Sequence, residues 1–342
     1  MKAVIFKQHG EPEVLEYTDA PDPVPQPGEL LLRVKACSIN HLDLWIRQGI
    51  PAYRMALPHI LGSDVSGVVE RVTDGVTHVK PGDAIVLAPG LSCGQCDPCR
   101  QGLDNVCVSF GIRGAATDGG YAELVTAKTS DALPLPRGLS FEDAAAYPLV
   151  FLAAWHMLVG RAKLTAGERV LIHAAGSGIG HAAIQIAKHL SATVYATVGS
   201  DEKIDKARAV GADAVINYQR ESVEERVKAL TGGEGVHVVF EHVGPQTWEA
   251  SLRVLAKGGR LVTCGATTGP TVPLDLRYVF SRQLSIFGSM MGTRAELQQV
   301  TQLIEQGALR PIIDTVFPLR NARQAHERLL RRTVFGKLVL VP

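Results

Sequence analysis

Residues 169–180 read Arg169-Val170-Leu171-Ile172-His173-Ala174-Ala175-Gly176-Ser177-Gly178-Ile179-Gly180. An apolar, strand-like run enters a turn of small residues, and a helical pattern follows. Ile179, Ala182, Ala183, Ile186, Ala187 and Leu190 recur at the spacing of one buried helical face. A pyrophosphate needs this order of elements. Small residues let backbone N–H groups and the positive end of a helix come close to it. Ala175, Gly176, Ser177, Gly178, Ile179 and Gly180 are therefore the expected phosphate-binding turn. A bare glycine hexad is weak evidence, but its place between strand and helix weighs against a turn without a ligand.

The same alternation continues downstream. Strands are expected at 193–198, 214–216, 236–240 and 260–264, with helices at 202–210, 222–230 and 246–256 between them. Such alternation means right-handed βαβ units and a parallel sheet covered on both faces. One more strand at 284–288, a helix at 294–305 and a last strand at 337–341 are expected beyond it. Upstream, the chain is β-rich, with short β-branched runs at 3–6, 29–36, 67–72 and 83–87. Pro27-Gly28 and Pro81-Gly82 make turns before two of these runs. Five prolines between Pro12 and Pro27 predict an extended connector rather than a helix.

The second strand-to-helix junction bears on which dinucleotide is bound. An NAD site usually places an acid at the end of its second strand, to accept from the ribose hydroxyls. Here that strand ends in Val198-Gly199-Ser200, and Ser200 is expected to cap a helix whose first turn holds Asp201 and Glu202. Lys203 follows, and Tyr218 comes after the third strand. Ser200, Lys203 and Tyr218 suit a 2′-phosphate, so NADP(H) is the expected cofactor. A solvated helix lysine and a surface aromatic are the plain alternatives for Lys203 and Tyr218. Gly244 and Gly265 are expected near the nicotinamide end, because ligands of open α/β sheets sit at the carboxyl ends of the strands.

Composition bounds the rest. The chain has 342 residues, 46% hydrophobic and 20% charged, which is ample for a core and suggests two domains. Thirty-five basic residues against 34 acidic ones leave a net charge of +1, which argues against nucleic acid or an acidic membrane as partner. The longest weakly polar stretch, 144–159, is broken by Pro148 and His156 and is too short to span a bilayer. A soluble, cytoplasmic protein is expected. Four of the six cysteines form Cys93-x2-Cys96-x2-Cys99-x7-Cys107. In a reducing compartment this spacing points to metal rather than disulfides. Four thiolates close a tetrahedral zinc shell, so the expected site is structural. Cys37 and Cys264 each follow a strand-like run and are expected to be small buried hydrophobes.

These residues resemble the medium-chain dehydrogenase/reductases, and within them the quinone-oxidoreductase-like branch. The resemblance rests on Asn40-His41-Leu42-Asp43 with Arg47-Gln48-Gly49, on Leu61-Gly62-Ser63-Asp64-Val65-Ser66-Gly67, on the four-cysteine lobe, on residues 151–158 (FLAAWHML) and on the glycine turn. It implies an α/β protein of two parts. A GroES-like β-rich catalytic domain would comprise 1–150 and 287–342, with a structural zinc lobe at 91–108. A Rossmann domain with a doubly wound parallel sheet would comprise 151–286. It also implies an active site between the domains and a homodimer, or a dimer of dimers, joined through the 284–288 strand.

The resemblance fails at one place. In the alcohol-dehydrogenase branch a catalytic zinc polarises the substrate oxygen. Its three ligand positions align here with Asn40, Ser63 and Leu149, and the acid beside the second with Asp64. An amide, a hydroxyl and a leucine do not make such a site. Without a Lewis acid, quinones and α,β-unsaturated carbonyls are the easier hydride acceptors, because their charge delocalises. The expected activity is therefore an NADPH-dependent quinone or enone reductase. Asn40 is the expected amide donor to substrate, and Asp43 holds the neighbouring hydrogen-bond network or caps a helix. Trp45, Phe151 and Trp155 either line an apolar substrate cavity or pack in the core. Some relatives carry a tyrosine just after the glycine matching Gly49. Here Pro51 stands there and Tyr53 follows, which leaves the proton donor unassigned. Two alternatives remain: an alcohol dehydrogenase with a shifted zinc site near Cys37, His41, His59 and Asp64, and an NADPH-binding sensor or structural protein with little turnover.

Overall fold

A computed structural model describes residues 1–50 and 55–342. The chain divides into two compact units, Met1–Leu149 with Thr293–Pro342, and Val150–Gly292. The first is built on a seven-stranded sheet. Its long central strand, Glu29–Ser38, pairs antiparallel with Asp64–Val72, with Leu124–Lys128 and with the last strand, Lys337–Val341. Two registers matter for the site. Ser38 stands opposite Asp64 on one side and opposite Val339 on the other. Residues far apart in sequence thus meet at one end of one strand.

The predicted connector is more ordered than five prolines suggest. It holds a short 3₁₀ turn at Pro12–Val14 and a strand at Glu16–Asp19 that pairs with Lys2–Phe6. The prolines at 21, 23, 25 and 27 lie after that strand, so its backbone donors are kept. A helix at His41–Gln48 follows the central strand directly, with Asn40 at its N-cap.

The second unit is a six-stranded parallel sheet. Its order is Ala214–Asn217, Thr193–Val198, Arg169–Ile172, Val236–Glu241, Leu255–Thr263, Ser285–Gly288. The chain winds outward in one direction through the first three strands and then reverses. The reversal lies between Arg169–Ile172 and Val236–Glu241, where such sheets bind ligands at the strand ends. The helix expected at 246–256 spans Pro245–Arg253 instead, and Leu255–Thr263 is strand. Leu255 and Leu261 are buried in the core beside Val236 and Val239, and that sheet pairing overrides the helical spacing. The domain break expected at 286/287 would cut the Ser285–Gly288 strand, whose pairing with Leu255–Thr263 runs from Ser285 to Gly288. Among the described residues, no helix is long and apolar enough to cross a membrane.

Candidate active site

The glycine turn lies at the carboxyl end of Arg169–Ile172, as expected. Ser177 caps the Gly178–His189 helix, its hydroxyl accepting from Gly180 N–H. A Cβ on Gly180 would lie 2.3 Å from the Ala174 carbonyl, so only glycine lets the helix start this close to the strand. The first N–H groups of that helix have no intrahelical acceptor and carry its positive end, which fits a phosphate. Ala174 and Ala175 are tied to the next strand, their N–H groups donating to the Thr197 hydroxyl and carbonyl.

At the second junction Ser200 occupies the N-cap position, but its side chain makes no cap hydrogen bond. The acid that follows is not left to the helix dipole. Asp201 accepts from Asn217 Nδ2 at 2.6 Å and pairs with Arg220. Its carboxylate is thus held by neighbours, and Arg220 adds a second cation to the region of Lys203. In the sequence nothing distinguishes Arg220 from any loop arginine. Tyr218 is 46% exposed, and a Cβ on Gly199 would meet its hydroxyl at 2.4 Å, so glycine there gives the ring its place.

Gly244 and Gly265 follow two adjacent strands, Val236–Glu241 and Leu255–Thr263. Gly244, with φ +96°, begins the Pro245–Arg253 helix. Buried Glu241 fixes this loop. It accepts from the N–H groups of Val243 at 2.6 Å and Gly244 at 3.1 Å, and from the hydroxyls of Thr247 and Ser251. Ser251 in turn meets His173, and the His173 carbonyl accepts from His242 Nε2. Nothing local in the sequence marks Glu241 as this anchor.

In the first unit, Asn40 and Asp43 lie in a buried polar network. Asp64 is its hub, accepting from Ser38 Oγ at 3.1 Å, Asn40 Nδ2 at 2.8 Å and the Leu149 N–H at 2.8 Å. Lys337 Nζ donates to the Ile39 carbonyl at 2.8 Å and to Asn40 Oδ1 at 2.5 Å, and lies 3.5 Å from Asp64 Oδ2. Asn40 is 5% exposed and Lys337 2%. Burial pushes the Lys337 ammonium down from its ordinary value, and Asp64 and Asp43 act against that shift. Asn40 is thus not a freely placed donor: its carbonyl is taken by Lys337 and one amide N–H by Asp64. A second N–H is all that remains of it.

Asp43 is both cap and network. Its Oδ2 accepts from Asn40 N–H at 2.7 Å and its Oδ1 from Gly62 N–H at 3.1 Å. The Tyr121 hydroxyl reaches it at 3.3 Å and lies 3.1 Å from His326 Nε2. Burial raises the Asp43 carboxyl to about 6, with the Asn40 N–H and Lys337 holding it lower than burial alone would. Burial also carries His326 down to about 3. Tyr121, His326 and Lys337 carried no sequence signal. Each lies more than 50 residues from Asp43 in the chain.

The remaining expectations divide. Phe151 is fully buried and stacks edge-on against His181, and Trp155 is 9% exposed, so both pack in the core. Trp45 packs against His41. His59 is held at both nitrogens, by the Gly114 carbonyl and by Asp118, as a structural histidine. Cys37 is buried, as expected. Pro51 and Tyr53 lie outside the described residues.

The four lobe cysteines come together. Their sulfurs all lie within 4.8 Å of one another, the one such potential metal-binding group among the described residues. Cys96–Cys99, Cys93–Cys107, Cys96–Cys107 and Cys93–Cys99 stand 3.4, 3.5, 3.8 and 4.0 Å apart. A tetrahedron with ~2.3 Å metal–sulfur bonds has edges of roughly 3.8 Å, so the geometry fits a closed four-thiolate zinc shell. Backbone N–H groups of Cys93, Gln95, Cys96 and Ser109 point at sulfurs, as a thiolate cluster requires. The Cys93 N–H, with the Ser109 hydroxyl and N–H, draws Cys107 down to about 6.

Known proteins resemble this chain along its whole length. Residues 26–137 match the family described as alcohol dehydrogenase GroES-like domain, and 178–306 the one described as zinc-binding dehydrogenase. A quinone oxidoreductase of Pseudomonas aeruginosa is 36% identical over 100% of this chain and 99% of its own. An alcohol dehydrogenase of Geobacillus stearothermophilus is 34% identical over 99% of each. Among solved structures, an NAD-dependent alcohol dehydrogenase superposes with a TM-score of 0.97 at 45% identity, covering 100% of both chains. A cobalt- and zinc-bound alcohol dehydrogenase from Pyrobaculum aerophilum gives 0.91 at 36% identity, covering 100% of this chain and 99% of its own.

Proposed function

The chain belongs to the medium-chain dehydrogenase/reductase family, whose members are oxidoreductases that use a nicotinamide cofactor, and we propose that it is an NADP(H)-preferring reductase of quinones or α,β-unsaturated carbonyls with one structural zinc and no catalytic one. The observation that carries the reading is the donor set around Asp64. The three positions where a catalytic zinc would find ligands hold Asn40, Ser63 and Leu149. The amide of the first and the backbone N–H of the last are bound to a carboxylate. These groups have no thiolate or imidazole to offer a metal.

The dinucleotide supplies a hydride from its nicotinamide C4. Ala175, Gly176, Ser177, Gly178, Ile179 and Gly180 would cradle its pyrophosphate, and Gly244 and Gly265 would flank the nicotinamide half. Ser200, Lys203 and Tyr218, with Arg220 beside them, would hold the 2′-phosphate. The pairing of Asp201 with Arg220 supports this, since that carboxylate is already engaged rather than open to a ribose diol. The substrate takes hydride at a quinone or at the β-carbon of an enone, and negative charge collects on oxygen. The second amide N–H of Asn40 would steady that oxygen, while Asp43 keeps the helix start in place. The resulting phenolate or enolate takes its proton from water. Cys93, Cys96, Cys99 and Cys107 would hold the zinc and supply folding energy to their lobe.

The open edge of Ser285–Gly288 would join two copies, as dimer or dimer of dimers. Exposed Leu276 and Phe280, on the helix just before that strand, support such a contact.

One set of measurements tests the function: metal content per chain, and oxidation of NADPH and NADH with 1,4-benzoquinone and 2-cyclohexenone. One zinc with turnover favouring NADPH is expected. Two metals per chain, with turnover lost to a mild chelator while the fold persists, would favour an alcohol dehydrogenase with a shifted zinc; the 45% identical solved relative, described as an NAD-dependent alcohol dehydrogenase, supports the alcohol-dehydrogenase part of that reading. Tight NADPH binding without turnover on any acceptor would favour a sensor or structural role.

A further inference from the structure

Lys337 is a buried ammonium in a sheet interior, and it has as many partners as it has donors. Its three N–H groups meet the Ile39 carbonyl, Asn40 Oδ1 and Asp64. Such a group is costly to bury and is retained only where its charge is answered. Here two acids lie in the same pocket: Asp64, 3.5 Å from Nζ, and Asp43, whose Oδ2 accepts from the N–H of Asn40. Of the other polar groups packed around this centre, Ser38, Tyr121 and His326 are neutral, and the buried Arg47 guanidinium acts on the Tyr121 and His326 side.

The chemistry of the partners sets the orientation of the Asn40 amide. Lys337 can only donate, so the amide must turn its oxygen toward it. The Asp64 carboxylate can only accept, so the amide must turn its nitrogen there. No flipped arrangement satisfies both. Between them, the two residues hold the Asn40 amide in one orientation. They also tie four separate pieces of chain to one point: the end of Glu29–Ser38, the start of Asp64–Val72, the residue after Pro148, and the first residue of the last strand.

We infer that Lys337 is the positioning residue for Asn40, fixing the direction of its amide and cancelling the charge of Asp64 so that the remaining N–H can face a developing oxyanion. This rests on the proposed role of Asn40 as oxyanion donor. Without the ammonium, two carboxylates would lie beside that amide and repel negative charge on the substrate. The amide oxygen would lose the partner that holds it. With it, the hydrogen bond from a cation also polarises the amide and makes the remaining N–H a better donor.

A double-mutant cycle between Lys337→Met and Asn40→Ala tests the inference. kcat, KM, NADPH affinity and thermal stability are measured for all four proteins, with 1,4-benzoquinone and 2-cyclohexenone as acceptors. Lys337→Met is expected to lower kcat by about 10- to 100-fold while the NADPH Kd moves less than about twofold. In the Asn40→Ala background the same change should cost less than about twofold in kcat, because the group it positions is gone. Stability should fall in both backgrounds, and by less where Asn40 is already gone, because the Lys337–Asn40 hydrogen bond is then absent. If Lys337→Met does not fold, Lys337→Gln, which removes the charge and keeps a donor, takes its place in the cycle. Additive losses in kcat would overturn the inference alone, leaving Asn40 as a donor that Lys337 does not govern. An Asn40→Ala enzyme with undiminished kcat would overturn the donor role itself, and the positioning role with it.

Discussion

At the scale of single residues, the site is a problem in burying charge. Asp43 is buried, and its carboxyl sits near 6 instead of its ordinary 3.8. The native state therefore holds this proton more tightly than the unfolded chain does. Well below pH 3.8 both states are protonated and the carboxyl costs nothing. As pH rises from 4 to 6 the unfolded chain ionises first, so native stability falls, and above 6 the loss is complete. The gap corresponds to about 3 kcal/mol at most. Asp43→Asn cannot ionise. The stability of the wild type relative to this variant should thus fall as pH rises from 4 to 6.5, as urea unfolding at the two pH values would read. A difference that stays constant would mean the Asp43 carboxyl is not held above its ordinary value.

Lys203 belongs to the same scale. Lys203→Ala should weaken NADPH by roughly 10- to 100-fold and NADH hardly at all, since only the former has a 2′-phosphate to lose a charge-assisted partner. Fluorescence titration of both dinucleotides decides it. Equal weakening would make Lys203 an ordinary helix lysine. Arg220 remains in the variant and sets the lower end of that range.

At the scale of elements, the cysteine lobe is short on packing of its own. Its helix spans only Asp97–Arg100, and Leu103, Val106 and Val108 are exposed. What ties it to the rest of its unit is specific. Asp104 accepts from the N–H of Arg294 at the start of the Arg294–Glu305 helix, and the Arg294 side chain reaches Ser130 and Asp131. A metal at the four sulfurs would hold one end of this arrangement. Cys96→Ser should therefore lower zinc content and melting temperature together, because the closed shell loses a thiolate. Atomic absorption and calorimetry on the same preparation measure both. Full loss of metal with unchanged melting would show that the lobe stands without it. Most of these elements were legible beforehand. The Gly178–His189 helix, the Thr193–Val198 strand and the Arg294–Glu305 helix follow from spacing and caps that act within a few residues. The strand expected at 260–264 forms but begins earlier, at Leu255, where pairing with Val236 overrules the helical spacing read through residue 256.

At the scale of the whole molecule, the parallel sheet ends in an open edge. Ser285–Gly288 pairs with Leu255–Thr263 and closes the strand order. Unpaired edges invite another strand. Phe287→Glu places a charge in that strand and should shift the proposed dimer toward monomer in sedimentation velocity, with NADPH affinity retained. An unchanged sedimentation coefficient would move the interface elsewhere.

The sequence by itself determined what depends on near neighbours. The glycine turn, its helix, the strand alternation and the cysteine spacing are each written within about 15 residues, and steric and ligand-spacing rules act over that range. That Asn40, Ser63 and Leu149 stand at the three ligand positions of the alcohol-dehydrogenase branch was legible through the family resemblance, with the acid Asp64 kept beside them. Only the tertiary structure decided what fills the space. Lys337 reaches Asn40 because the last strand pairs with Glu29–Ser38, a contact across nearly 300 positions of chain. Tyr121 reaches Asp43 from far along the chain, and His326 in turn meets the Tyr121 hydroxyl. A buried charge must be answered by whatever the fold brings beside it, and no local pattern records that partner, because burial is a property of the assembled sheet and not of any segment within it.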